Sequence, residues 1–218
     1  MPDHEEIDIS GYSYDEFVSF VFDREIRAQE GRYHPWYFDV KVAFNASRLC
    51  EFYIRLFRSP DFLLRKYSRA QLEEGFWAIH GGAFDGSVQN LIWNTDVPFP
   101  SRCECLKSMS DLFKCLFATE PLETSVFMWW DSICYEWECG NNQRRDGEHV
   151  PMQNIIFEVL ADLLQNDSQI CQHAALHGLG HLHHPATQEL VEAYLGQRPS
   201  LTQERRQYAL AAARFDIL

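Results

Sequence analysis

The chain is poor in basic residues and has no long hydrophobic run. Lys and Arg number 19 among the 218 residues, against 32 Asp and Glu, and the formal net charge is −13. A nucleic-acid-binding protein needs a basic surface to neutralise phosphates, so this balance argues against one, and it also disfavours an anionic membrane surface. No stretch approaches the roughly 20 apolar residues of a membrane-spanning helix. We therefore expect a protein as the partner, and the charge favours a basic one.

Disulfide and targeting signals are missing as well. The seven cysteines are odd in number and form no Cys-x-x-Cys pair, which predicts reduced thiols and not a disulfide framework. The first six residues, Met-Pro-Asp-His-Glu-Glu, contain neither the basic nor the apolar segment of a secretory signal. These two features together predict a cytoplasmic protein.

Sequence motifs of the common catalytic sites are also absent. The chain contains no Gly-x-Ser-x-Gly, no phosphate-binding loop, no dinucleotide fingerprint and no His-Glu-x-x-His. The pairs Cys103/Cys105 and Cys134/Cys139 have poor spacing for zinc, and we expect these thiols in or near the core. Because no catalytic constellation is visible, our first hypothesis is a non-enzymatic protein–protein interaction module.

The sequence does contain a series of helix signals. Ser13–Glu16, Ser68–Gln71 and Ser101–Glu104 are capping patterns, each followed by apolar residues at helical spacing. No Asn-Gly or Asp-Gly turn joins two alternating segments, and we expect the β-branched residues near Val40 to belong to a helix that continues to about Phe57. The sequence predicts one all-α domain with about eight to ten helices and essentially no sheet.

A polar loop at residues 140–150 divides the predicted domain into a helical N-terminal part, residues 1–139, and a C-terminal part, residues 151–218. Just before the loop, residues 126–137 are apolar nearly all round, as in a helix that is covered on two sides. Trp129 and Trp130 could form half of a cleft for an aromatic or tetrapyrrole ligand. A place in the buried core is the favoured interpretation, since their neighbours are apolar.

The C-terminal part has a repeat-like pattern. At about 100° per residue, the small and apolar residues of Ile170–Pro185 form one stripe, which would let a neighbouring helix approach closely. Pro185 separates this helix from a second one at Ala186–Gly196, and Ser200–Gln203 begins a third. The residues that carry a match to a known repeat are Ala174, Ala175, Gly178, Leu179, Gly180, Leu182 and Pro185.

Residues 168–218 thereby resemble the short HEAT-like helical repeats, including the bilin-lyase type. The resemblance implies stacked antiparallel helical hairpins, that is, an α-α superhelix. It also implies a scaffold that binds a protein on one face of the stack. The bilin-lyase type adds a tetrapyrrole-binding or lyase-like protein as an alternative.

Histidines are concentrated in the same helix. His173, His177, His181 and His184 lie within about 80° of one another, opposite the apolar stripe, and we expect them to form a solvated polar face with no cofactor. The alternative is a metal-dependent enzyme that uses helix 173–184, with a transition metal bound by His177, His181 and His184. The spacings 177/181 and 181/184 each suit a pair of ligands, whereas His173 and His181 are about 12 Å apart. A further ligand would come from His80, His149 or a carboxylate.

Overall fold

The computed structural model describes residues 5–29, 32–122, 124–138 and 147–217. Within these ranges the chain is mostly helical, with 11 helices and only short strands. The prediction of an all-α protein is confirmed at this level. None of the helices in the described ranges combines the length and the apolar character that crossing a membrane requires.

The elements follow one another along the chain with short connections. In order they are β1 Glu5–Asp8, α1 Tyr14–Phe22, β2 Ala28–Gln29, β3 Arg32–Tyr33, a 3-10 turn Trp36–Phe38, β4 Val40–Ala43, α2 Ala46–Arg58, α3 Leu63–Lys66, α4 Arg69–His80, α5 Val88–Leu91, α6 Phe99–Leu112 with a π-helical extension Phe113–Phe117, α7 Trp129–Glu138, α8 His149–Leu164, α9 Gln169–Leu182, α10 Thr187–Gln197 and α11 Gln203–Ala213. The four-residue helices α3 and α5 bring the number above the expected eight to ten.

Of the three helix starts predicted at Ser13, Ser68 and Ser101, two are confirmed. Ser13 and Ser68 each form a reciprocal capping box with the residue three positions later. The start predicted at Ser101 is wrong, since α6 already begins at Phe99, with Pro100 in its first turn. Proline suits that place because its fixed φ is already helical and its missing N–H would have no partner there.

The run near Val40 is a strand and not the beginning of a helix. β4 pairs in parallel with β1, with Val42 opposite Ile7, and α2 begins only at Ala46, where the Asn45 side chain accepts a hydrogen bond from Arg48 N (3.0 Å). The predicted start of this helix at about Val40 is therefore wrong. β-Branched residues favour the extended backbone, but their pairing partner lies some 35 residues earlier in the chain, where no local pattern reveals it.

The predicted polar loop lies partly outside the described residues. Residues 140–146 are not among those the structure describes, and the end of the loop is already helical, because α8 begins at His149. The buried apolar side chains of the described residues form one cluster, which includes residues of every helix from α1 to α11. Trp129 and Trp130 are fully buried within it, as the favoured interpretation of these two residues predicted.

Helix α9 packs against α7, α8 and α11, and Gly178 lies directly against Trp130 of α7. A Cβ at this position would lie 2.7 Å from Trp130 Cβ and 2.9 Å from Leu160 Cδ2, closer than two carbon atoms can pack. The expectation that small residues in this helix admit a neighbour is thus confirmed. The contact also places Asp131, the residue after Trp130, beside His177, the residue before Gly178.

Candidate metal centre

Asp131, His177 and His181 form a compact cluster between α7 and α9. The two histidines are four residues apart on α9, which places them on the same face one turn apart. Asp131 Oδ1 lies 2.6 Å from His177 Nε2 and 2.9 Å from His181 Nε2. The two Nε2 atoms are 3.2 Å apart. Three potential ligand atoms of two residue types that bind transition metals therefore converge on one point.

The cluster is buried but remains next to solvent. His177 and His181 are only 1% and 4% exposed, whereas the Asp131 side chain is 21% exposed. Since Asp131 Oδ1 is itself buried, the exposed part of the side chain is its remaining atoms. The Asp131 side chain thus borders solvent at one edge of the cluster.

The carboxylate of Asp131 is held in its ionised form. Burial alone would raise its pKa, but hydrogen bonds and charge interactions with His177 and His181 outweigh this effect and lower the pKa from 3.8 to about 2. The ionised carboxylate is the form in which an aspartate binds a metal ion.

The outer ring nitrogen of His177 is held by α11. His177 Nδ1 lies 2.7 Å from the Tyr208 hydroxyl, and the ring of Phe127 packs against the imidazole, with 3.9 Å between the centroids. A second hydrogen bond of this kind orients a metal-ligating histidine and fixes which nitrogen faces the ion. His177 is therefore fixed at both nitrogens and on one ring face.

The spacing of the three atoms fits one face of a coordination polyhedron. Bonds of about 2.1 Å give ligand–ligand separations of roughly 3.0 Å for octahedral and roughly 3.4 Å for tetrahedral geometry. The observed 2.6, 2.9 and 3.2 Å match the octahedral value within a few tenths of an ångström, and small side-chain movements reach the tetrahedral one. Two histidines and one carboxylate on one face leave the opposite coordination positions open.

Of the three ligands predicted from the sequence, the structure brings together His177 and His181 but places His184 elsewhere. His184 Nε2 is 3.0 Å from Asn154 Oδ1, and its Nδ1 accepts a hydrogen bond from Ala186 N (3.1 Å). Its ring stacks on Phe157, with 4.0 Å between the centroids. Both nitrogens of His184 are thus used in fastening the end of α9 to α8 and to the following turn.

The expected solvated histidine face is wrong for the middle of the helix. His177 and His181 are buried because α7 and α11 cover this side of α9 as well as the apolar stripe. His173 is exposed at its edge, but its ring stacks between Phe127 and Tyr208. A helical wheel shows which residues share a face, but not how many neighbours surround the helix.

Of the further ligands that the sequence offered, the carboxylate is the one found beside the two histidines. His80 Nδ1 pairs with the Ser132 hydroxyl (3.0 Å), and the His149 ring packs against Trp93 and Trp137. Asp131 was not among the ligands predicted from the sequence. Its signal was available, since it is the acidic residue directly after the Trp pair in a segment otherwise apolar nearly all round, and such a residue needs a polar partner.

A cavity of about 430 Å³ lies beside the cluster, between the segment before α7, α9 and α11. None of the three cluster residues lines it. Tyr208 and Phe127, which both contact His177, do line it. The cavity and the cluster are thus separate sites that share these two neighbours of His177.

Comparison of the sequence with protein-family models found no match, and comparisons with curated proteins and with solved structures found none either.

Proposed function

We propose that Asp131, His177 and His181 bind a divalent transition-metal ion and that the protein is metal-dependent. The observation that carries this proposal is the convergence of one carboxylate oxygen and two imidazole Nε2 atoms within 3.2 Å of one another in a buried site. The proposal keeps His177 and His181 as ligands and replaces His184 by Asp131. Imidazole and carboxylate ligands suit Zn(II), Fe(II), Mn(II) or Co(II).

Three protein ligands converge among the residues that the structure describes, and this number favours an enzyme over a structural metal site. Structural zinc sites are usually closed by four protein ligands, whereas catalytic sites use three and keep a position for water or substrate. A bound ion would supply Lewis acidity or an activated water at that position. The chain's own residues would hold the ion, orient His177 through Tyr208 and exclude water from all sides but that of Asp131.

A cluster held by protons is the competing explanation of the same geometry. In that arrangement both Nε2 atoms carry a proton toward Asp131 Oδ1, and the Tyr208 hydroxyl donates to His177 Nδ1. With an ion present, each neutral imidazole would carry its single ring proton on Nδ1 instead, which leaves Nε2 free for the ion and lets His177 Nδ1 donate to Tyr208. The two explanations differ in whether the two Nε2 atoms carry protons or bind a metal ion.

Metal analysis of protein purified without an affinity tag tests the proposal. We expect about one equivalent of a transition metal after purification or after dialysis against Zn(II), Fe(II), Mn(II) or Co(II) followed by gel filtration. Asp131→Asn and His181→Gln should lose it. His184→Gln is the matched control, since it changes a histidine of the same helix outside the cluster, and it should retain the metal.

Two results would refute the metal centre. One is less than about 0.1 equivalents of every metal tried, since a site of this ligand set binds tightly. The other is the same metal content in wild type and Asp131→Asn, which would place the ion elsewhere. A folded circular-dichroism spectrum for each variant keeps loss of metal distinct from loss of structure.

A protein-binding role is a second candidate, favoured by the net charge of −13. We propose a basic protein as the partner, since such a surface attracts basic partners over a distance. The HEAT-like stacking of α9–α11, the reduced cytoplasmic setting and the tetrapyrrole alternative stay predictions from the sequence. Co-purification of this chain with a basic protein, lost in high salt, would support the role. A protein that elutes only as a monomer with every basic candidate would count against it.

A further inference from the structure

The cavity beside the cluster has a mostly apolar wall and one cation. Its apolar lining comes from Leu122, Val126, Phe127, Ile170, Ala174 and Leu176, and Arg205 of α11 contributes the positive charge. A volume of about 430 Å³ lies within the range of roughly 300–1,000 Å³ that is usual for small-molecule sites. The shape and lining therefore suit a compact organic molecule and not a single ion.

Arg205 has hydrogen-bonding capacity to spare. One Nη2–H donates to Gln172 Oε1 (2.9 Å), and Gln172 Oε1 also accepts from the Tyr194 hydroxyl (3.1 Å). Within the described residues no carboxylate lies within 4.0 Å of the Arg205 guanidinium. A guanidinium carries five N–H donors in a planar fork that matches a carboxylate. Its anchoring to the neutral Gln172 fixes the side chain without cancelling its charge.

The other charged residue at the cavity does not replace a ligand carboxylate. Glu204 precedes Arg205 and also lines the cavity, but it is exposed and makes no ion pair with Arg205 within 4.0 Å. Solvent screens an exposed charge far more strongly than one at the wall of a cavity. Arg205 therefore dominates the charge that a bound molecule would meet.

We propose that this cavity binds a small organic carboxylate, with its apolar body against the wall formed by α9 and the segment before α7, and its carboxylate on Arg205. Tyr208 lines the same cavity and would lie beside the acid. This site does not require the metal centre, because its lining includes none of the three cluster residues. An acid bound here would, however, contact Tyr208, which holds His177.

Calorimetric titration with matched probes tests the proposal on the full chain. We expect hexanoate and phenylacetate to bind, and their neutral analogues 1-hexanol and 2-phenylethanol to bind roughly tenfold more weakly or worse, since a hydrogen bond to a charged group is lost. Equal affinity for the acids and the alcohols would overturn the proposal, and so would failure of both acids to bind. Repeating the titration after removal of metal with EDTA should leave acid binding in place, which separates this proposal from that of the metal centre.

Two pairs of variants locate the site. Arg205→Gln should weaken acid binding roughly tenfold or more, while Arg206→Gln, the next residue and no part of the cavity lining, should not. Ile170→Trp fills the cavity from a half-buried position and should abolish binding, whereas Leu210→Trp adds the same ring to an exposed position on α11. Arg205→Lys, which keeps the charge but loses the fork, should bind with intermediate affinity. Acid binding that survives both Arg205→Gln and Ile170→Trp in folded protein would place it elsewhere and refute the assignment.

Discussion

Two carboxylates join α7 and the turn before it to the neighbouring helices, Glu73 on the α4 side and Asp131 on the α9 side, and they differ in the kind of donor that they face. On the α4 side, Glu73 accepts hydrogen bonds from the backbone N–H groups of Thr124 and Ser125 (2.9 and 2.8 Å), from both hydroxyls and from the Trp77 indole. On the α9 side, Asp131 faces two imidazole nitrogens and, among the described residues, no backbone donor. Both carboxylates are thus surrounded, but by groups of different chemistry.

This difference distinguishes Glu73, which only holds a turn in place, from Asp131, which can belong to a set of metal ligands. Burial raises the pKa of each carboxylate, and hydrogen bonds outweigh burial and lower it in both, so the pKa does not tell them apart. Backbone N–H groups and hydroxyls keep their protons, so Glu73 keeps its hydrogen bonds to the turn before α7. An imidazole nitrogen can carry a proton or bind a metal, so of these two carboxylates only Asp131 faces partners that can change their state.

The largest expected effect is a metal-dependent stabilisation confined to the α9 side. A metal at about 100 times its Kd should raise the free energy of unfolding by about 2.7 kcal/mol. Thermal or urea unfolding with metal and with EDTA measures it. Asp131→Asn should abolish the difference between the two conditions, whereas Glu73→Gln, a change of the same kind on the α4 side, should lower stability in both conditions and preserve the difference. The same metal-induced gain in Asp131→Asn as in wild type would remove the distinction between the two sides.

On the α4 side, the next largest effect is a response to acid at His80. This residue is fully buried, and burial lowers its pKa from 6.5 to about 3. The unfolded chain takes up a proton near pH 6.5 and the folded protein does not, so His80 contributes stability above that pH and the contribution is lost as the pH falls toward 3. Between pH 6 and pH 4 we expect wild type to lose about 2 to 3 kcal/mol through His80 alone.

His80→Asn removes this titration while keeping a polar atom near the Ser132 hydroxyl, with which His80 Nδ1 pairs. Urea unfolding of both proteins in EDTA at pH 6, 5 and 4 gives the comparison. The variant should show the shallower decline. If the free energy of unfolding of the two proteins fell in parallel with pH, His80 would take up its proton in the folded protein as it does in the unfolded chain.

The close packing of α7 on α9 is tested by a pair of glycines on one helix. Gly178→Ala places a Cβ 2.7 Å from Trp130 Cβ, an atom fixed to the backbone, and should destabilise the protein by roughly 2 kcal/mol. Gly180→Ala meets the end of the Ile217 side chain, which can turn away, and gains up to about 1 kcal/mol of helix propensity. We expect Gly178→Ala also to weaken metal binding, since it moves Asp131 away from His177. Urea unfolding and metal titration of the two variants provide the check, and equal effects would show that the contact at Gly178 is not specific.

Interactions between residues close together in the chain could be predicted from the sequence, whereas those between distant residues could not. The capping boxes at Ser13 and Ser68 and the close-packing stripe through Gly178 are local patterns, and the structure confirms them. The pairing of β4 with β1 joins residues about 35 positions apart in the chain. For that reason helical periodicity alone led to the wrong start for α2.

The candidate site divides in the same way. The spacing of His177 and His181 identified two members of the cluster, since both lie on one helix. Asp131 comes from a helix 46 residues earlier than His177, and only the packing of α7 on α9 through Gly178 makes it their neighbour. His184 shares the helical wheel with the two histidines, but it lies beyond the last turn of α9, where the wheel no longer applies.

The smallest effect that we expect concerns Tyr208, which lies between the cluster and the cavity. Tyr208→Phe removes the hydroxyl that contacts His177 Nδ1 and keeps the ring that stacks on His173. In a metal centre this hydrogen bond orients the ligand, and its loss should weaken metal binding about tenfold, or about 1.4 kcal/mol. Competition with a chelator of known affinity measures this change. Tyr194→Phe, which removes another hydroxyl of the C-terminal part that bonds Gln172, is the control and should leave the metal affinity unchanged. If both variants bind metal as wild type does, the hydroxyl of Tyr208 does not hold His177 for the ion, and its contact with the imidazole belongs to the packing of α11 on α9.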